Sequence, residues 1–296
     1  MIRPRIGVSP EAVRQSARHT LFVEGSEPSA IDPTTLDTLL GGLIIVKPLG
    51  PSFHIRSAAE ALYPHHPDYY FLIDRDHQSE EIIEKSWENF PDPATQNLLI
   101  WRKRELENYF LLPEYLAKCD YLSCKQAKLE SDILQAAHQR IFLDAANLVI
   151  TQVREDLKRK WIESFTSSTG FETRAKARTA LLNRSEFTNH PKNVKLWLGQ
   201  KNLAKKFDAI VDEWLGDSSL PKPIIGKGIW LEMVRGKVIL PTIINNCFKV
   251  RDVNGKVLQG KDKLFEVVKN LLQKPLEDQP DDFQKLHQLI SERVST

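Results

Sequence analysis

The chain has 296 residues, 41% of them hydrophobic and 27% charged, with a formal net charge of +2. This is enough for one large domain or two modest ones with a real core, and no window approaches the roughly eighteen uninterrupted apolar residues that a membrane span needs. The small net charge hides an uneven spread: residues 20–112 carry 15 acids against 7 Lys and Arg, and residues 154–208 carry 13 Lys and Arg against 6 acids. Such a division suits a protein that holds metal in one place and polyanion in another, although a solvated helix face explains any single lysine equally well.

In chain order, residues 1–19 are basic but lack an apolar core of the secretory-signal kind, and are expected to form a flexible arm. TLFVEG (20–25) is a short strand stopped by an acid and a glycine. A helix follows over 33–41, with Asp32 as its N-cap and Gly41 as its stop. LIIVKPLG (43–50) is a second strand and RSAAEALYP (56–64) a second helix. YYFLIDRD (69–76) is a third strand, SEEIIEKSWENF (79–90) a third helix capped by Ser79, and NLLIW (97–101) a fourth strand. Short apolar strands alternating with single helices predict an α/β fold, a parallel sheet flanked by helices. From about Pro113 the pattern turns to long helical periodicity, including a helix around 131–165, and then to a basic, polar stretch. RGKVILPTI opens a helix or strand at a glycine, and two helices close the chain. The three cysteines, Cys119, Cys124 and Cys247, lack CxxC spacing and read as reduced thiols of a cytoplasmic protein.

Function in a parallel sheet gathers at the carboxyl ends of the strands. Two of the first three strands end in acids there, Glu24 after LFV, and Asp74 with Asp76 after YYFLI. Residues i and i+2 of a strand share a face, so the two aspartates are expected to point the same way. Unpartnered, they would raise each other's pKa and destabilise the fold. A hard divalent cation removes that repulsion, and Mg²⁺ takes one or two carboxylates while keeping several waters. Two plainer readings stand beside it: Arg75 neutralises the pair, or one aspartate caps the following helix.

LFVEG followed by YYFLIDRD resembles the TOPRIM domain of topoisomerases, primases and OLD-type nucleases, in which a glutamate ends the first strand and a D-x-D ends the third. WRKRELENYFLLPEYL (101–116) is similar to the segment after the fourth strand in OLD-like nucleases and in their small stand-alone relatives, effectors encoded beside an ABC- or SMC-like ATPase in phage-defence operons. The resemblance covers residues 20–116 and implies a TOPRIM catalytic core there, followed by a helical, basic region at 117–220 and a small α/β or helical C-terminal region at 221–296. It implies Glu24 as a metal-coordinating or proton-handling acid, Asp74 and Asp76 as the main ligands of Mg²⁺ (or Mn²⁺), and Glu107, rather than its neighbour Glu105, as a further ligand. A late lysine that stabilises the transition state is assigned to Lys237, with Lys227 behind it. The run EGSEPSA departs from the pattern, since Pro28 stands where many relatives have an acid. Lys47 replaces the usual glycine pair after the second strand, and either enters the site or is solvated.

These parts imply metal-assisted hydrolysis of phosphodiester bonds in nucleic acid, with RNA, tRNA included, slightly favoured over DNA. The basic stretch TSSTGFETRAKAR and its continuation, through Arg174, Lys176, Arg178 and Arg184, is expected to contact the nucleic acid. The chain has no Walker A motif, so any partner ATPase is a separate protein. A homodimer is expected, through the long helix. Two other readings remain open at this stage: a non-catalytic TOPRIM-like scaffold that binds nucleic acid or the ATPase, and a metal-dependent sugar-nucleotide transferase, which also ends a strand in D-x-D.

Overall fold

The structure, a computed structural model, describes residues 19–27, 30–62, 65–92, 97–159, 179, 183, 192 and 194–295. All but one residue of the expected N-terminal arm lies outside them, as do Arg174, Lys176, Arg178 and Arg184.

Four short apolar segments form the sheet: β1 (Thr20–Val23), β2 (Ile45–Pro48), β3 (Tyr69–Ile73) and β4 (Leu98–Ile100). They pair in the order β2-β1-β3-β4, every pair parallel. Parallel neighbours need crossovers, and helices α1 (Ile31–Leu40), α2 (Ser52–Leu62) and α3 (Glu80–Asn89) supply them. The central strand β3 is buried at all but its first residue, as expected where helices cover both faces. The chain steps outward from β1 to β2 and then returns to the other side of β1 for β3. The crevice at the carboxyl ends of β1 and β3 is therefore the topological switch point of the sheet.

One local expectation holds, and several others need correction. Gly41 ends α1 in the left-handed region, at φ 56. The N-cap of α1 is Ala30, so Asp32 lies inside the first turn and caps nothing. Ser79 occupies the N-cap position of α3 without a side-chain hydrogen bond. The long helix expected around 131–165 is two helices, α6 (Gln126–His138) and α7 (Ile141–Arg159). Between β4 and α6 lie two single turns, α4 (Glu107–Phe110) and α5 (Pro113–Leu116).

The chain divides into two compact units, one of residues 1–137 and 231–296, the other of residues 138–230. Segments 117–137 and 231–296 thus share a unit with the sheet. The second unit contains α7 and α8 (Gln200–Leu215), which pack together. A short turn, α9 (Trp230–Met233), precedes α10 (Gly236–Cys247), α11 (Gly260–Leu272) and α12 (Asp281–Val294). RGKVILPTI is therefore helical. Among the described residues, no helix is long and apolar enough to cross a membrane.

Helix α12 is anchored to the end of β4 by rings and charge. Phe283 is fully buried against Trp101, Tyr109 and Phe110, at centroid distances of 5.7, 5.0 and 5.7 Å. Beside it, Asp282 accepts from Arg102 Nη1 at 2.6 Å and from the Tyr109 hydroxyl at 2.5 Å. Arg102 holds Glu84 in a two-pronged pair at 2.7 and 3.0 Å and lies over the Trp87 ring at 4.3 Å. Phe283→Ala is expected to cost about 3–5 kcal/mol, the usual range for emptying a buried phenyl site. Urea denaturation of wild type and variant measures it.

Candidate active site

The site is built from three strands or turns that converge on the switch point. Glu24 follows β1, Asp74 follows β3, and the backbone N–H of Asp74 donates to Glu24 Oε1 at 3.1 Å. Adjacency of β1 and β3 in the sheet, with Phe22 opposite Phe71, is what brings these two acids together. Asp74 is buried, and Lys237 Nζ lies 2.6 Å from its Oδ2. The structure thus joins three of the residues proposed from the sequence, Glu24, Asp74 and Lys237.

Asp76 reaches the site by another route than the one expected. Strand β3 ends at Ile73, so the shared-face argument does not apply to residues 74 and 76. Asp76 is exposed and adopts φ 49, in the left-handed region that aspartate tolerates better than most residues. Its Oδ2 accepts from Ser52 Oγ at 3.5 Å, a long contact from the first turn of α2. Arg75 does not neutralise the pair: its guanidinium turns away to Arg102 O and Glu80 Oε2, each at 2.8 Å.

Lys237 arrives from 163 residues away on the first turn of α10, and the seat of that turn is built from the RELEN run. Glu105 Oε2 accepts from the backbone N–H of Lys237 at 2.8 Å, filling one of the donors that a helix start leaves unpaired. Asn108, fully buried, donates through Nδ2 to Leu231 O at 2.9 Å and Val234 O at 2.8 Å. Gly236 is required here, because a Cβ would meet Asn108 Oδ1 at 2.6 Å and its backbone N at 2.8 Å. Asn108 and Gly236 were not singled out in the sequence, where only the position of the glycine before Lys237 hinted at a close approach. Lys227 belongs to the other unit and is exposed. Lys47 is exposed on β2.

Two further carboxylates face the same ammonium. Glu107 is buried, and its Oε2 has no hydrogen-bond partner. Asp32, also buried, has an unpartnered Oδ1. Asp32 is the acid that reading it as a cap concealed: the first turn of the helix after β1 necessarily lies near the carboxyl end of β1. A cavity of about 290 Å³ opens beside them, lined by Glu24, Gly25, Asp32, Gly50, Pro51 and Lys237.

Burial and mutual repulsion set the charge states. Burial, then the Asp74 charge, raises Glu24 to about 7. Burial raises Asp74 to about 6, against the pull of Lys237. Burial raises Glu107 to about 8, again with Lys237 opposing. Asp32 is pushed well above the carboxylate range by burial and then by Asp74 and Glu107. Burial works against the charge of Lys237, but Asp74, Glu107 and Asp32 outweigh it and push its pKa up.

Among the described residues, no three His, Cys, Asp or Glu side chains stand close enough together to hold an ion as placed. Lys237 lies directly on Asp74. The donor set nevertheless fits a hard cation: all the facing groups are carboxylates, two of their buried oxygens lack partners, and one ammonium faces several acids. No protein-family model matches the chain, and no curated protein matches it.

Carboxylates whose folded pKa is raised contribute stability that is present below their unfolded pKa and lost as pH rises through the folded value. The metal-free protein should therefore lose stability between about pH 5 and pH 8, the window set by the raised values of Asp74, Glu24 and Glu107. Glu107→Gln should flatten that loss, matching wild type near pH 5 and exceeding it at pH 8.5 by on the order of 1–3 kcal/mol. Thermal melts of both proteins in EDTA across this range measure the difference. Gly236→Ala should destabilise the fold by roughly 1–3 kcal/mol, because the neighbour it strikes includes backbone.

Proposed function

We propose that the chain is a metal-dependent phosphodiesterase of the TOPRIM type that acts on nucleic acid. One observation carries the reading: at the switch point of a parallel sheet, buried carboxylate oxygens of Asp32 and Glu107 stand without partners around the Lys237–Asp74 ion pair. A protein that needed this crevice only for packing would keep fewer acids there, since each buried carboxyl group, charged or protonated, costs stability unless it is hydrogen-bonded or paired.

In this reading Asp74, Asp76 and Glu107 hold Mg²⁺ or Mn²⁺, and Asp32 supplies a further carboxylate. A cation held there would supply an activated water and offset charge on the leaving oxygen. Glu24, raised to about 7, is poised to take a proton on its free carboxylate oxygen near neutral pH, while Asp74 N–H fixes the other. Lys237 keeps its ammonium charged and offsets the negative charge that grows on the phosphoryl oxygens. Gly25 and Gly50 exchange backbone hydrogen bonds at 3.2 and 2.8 Å, which closes one wall of the cavity without side chains and leaves room for a sugar-phosphate.

Purified protein with Mg²⁺ or Mn²⁺ is expected to cut bulk tRNA or plasmid DNA, and EDTA should stop it. Glu24→Ala, Asp74→Ala, Asp76→Ala and Lys237→Ala should each lower kcat about 100-fold or more. Retained cutting in Asp74→Ala would refute the assignment. Mn²⁺ should also raise the melting temperature more at pH 8 than at pH 6, because protons compete for the same carboxylates, and this shift should vanish in Asp74→Asn. Binding of nucleic acid that ignores both the metal and the variants would instead identify a scaffold.

A further inference from the structure

The acidic crevice cannot by itself attract a polyanion, so the substrate needs a positively charged grip beside it. Helix α2 has the chemistry. The Gly25–Gly50 bridge holds the start of α2 next to Glu24, and Ser52 of its first turn touches Asp76. Arg56 lies one helical turn on, at i+4 from Ser52, and so shares its face. It is half-buried, and it lies within the electrostatic reach of Asp76, Glu24 and Glu60. Among the described residues it makes no ion pair with any of them. An arginine held near carboxylates and joined to none keeps its planar fork available, and that fork matches two phosphate oxygens at once.

The neighbour of Ser52 completes the surface. Phe53 is 61% exposed, the most exposed aromatic side chain among the described core-type residues. Its ring is braced edge-on by His54 at 4.1 Å. His54 is in turn seated over Gly50, where a Cβ would come within 3.1 Å of His54 Nδ1. An exposed, braced ring two residues along the chain from the cavity-lining Pro51 can serve as a stacking platform, because every base has a face to offer it. A base inside a duplex has both faces covered by its neighbours, so only an unpaired base can use it.

We propose that the first two turns of α2 bind the substrate strand, Arg56 gripping a phosphate beside the scissile one and Phe53 stacking on an unpaired base, so that the substrate is single-stranded at the cut. This rests on the phosphodiesterase reading above. It places a specificity element on the sheet's own unit, independent of the basic segment around Arg174 to Arg184.

The test uses full-length protein and fluorescein-labelled oligonucleotides of one sequence, as single-stranded RNA, single-stranded DNA and duplex. Binding is read by anisotropy in Ca²⁺, and cleavage in Mg²⁺. Single strands are expected to bind at least about tenfold tighter than duplex, and the RNA and DNA arms identify the preferred sugar. Phe53→Ala and Phe53→Leu should each weaken single-strand binding about tenfold, while Phe53→Trp restores it; an effect of lost apolar area alone would leave Leu near wild type. Arg56→Ala should raise KM and reduce the salt dependence of binding by about one phosphate contact, with Arg56→Lys recovering part of the charge effect. Melting temperatures check that each variant is folded. Cleavage by wild type with Phe53 and Arg56 variants unchanged, or duplex bound as tightly as single strands, overturns this proposal and leaves the phosphodiesterase reading standing. Absence of both binding and cleavage overturns the two together.

Discussion

Carboxylates gathered at one end of a parallel sheet repel each other, and the surroundings of this site are organised against that repulsion. Glu24, Asp32, Asp74 and Glu107 all have raised pKa values, chiefly through burial. The Lys237 ammonium on Asp74 Oδ2 is the principal compensation within the chain. Remove that cation, and the buried Asp74, Glu107 and Asp32 would lose the positive charge that offsets them. The site therefore depends on where the first turn of α10 is placed.

That placement explains features distant from the chemistry. Glu105, Asn108 and Gly236 lock the turn before α10 onto the turns after β4, through a side-chain cap, two amide-to-carbonyl bonds and a contact only glycine permits. The C-terminal helix α12 then clamps the same turns from the other side, through Asp282 and Phe283. The ELENYF run thus serves two purposes. Glu107 faces the site, Glu105 and Asn108 position Lys237, and Tyr109 and Phe110 bind the C-terminal helix. Splitting the chain so that residues 138–230 form a separate unit leaves this arrangement within one compact body.

The local part of this design was legible residue by residue. Strand ends marked by Glu24 and by Asp74 with Asp76 stand out through their joint appearance on neighbouring elements of one sheet, since each alone has ordinary structural uses. Asp32 looks like a cap in the sequence, because an acid beside a helix start has a common structural use, and only its burial separates it from a cap. The i, i+2 spacing of Asp74 and Asp76 does not give them a common side, since that pattern holds only while the strand lasts and β3 stops at Ile73. Arg75 stands between the two aspartates in sequence, yet its guanidinium donates to Arg102 O and Glu80.

By itself, the sequence determined the alternation of strands and helices, the parallel character of the sheet and the acids at its carboxyl end, since all of these follow from periodicity and from adjacency along the chain. Only the tertiary structure decided that β1 and β3 are neighbours, that Asp32 and Glu107 are buried with unpartnered oxygens, and that Lys237 meets Asp74 across 163 residues. The physical reason is that these depend on contacts between segments with no local signature. Burial sets the charge of each carboxylate, and burial is a property of what packs against a residue rather than of the residue itself.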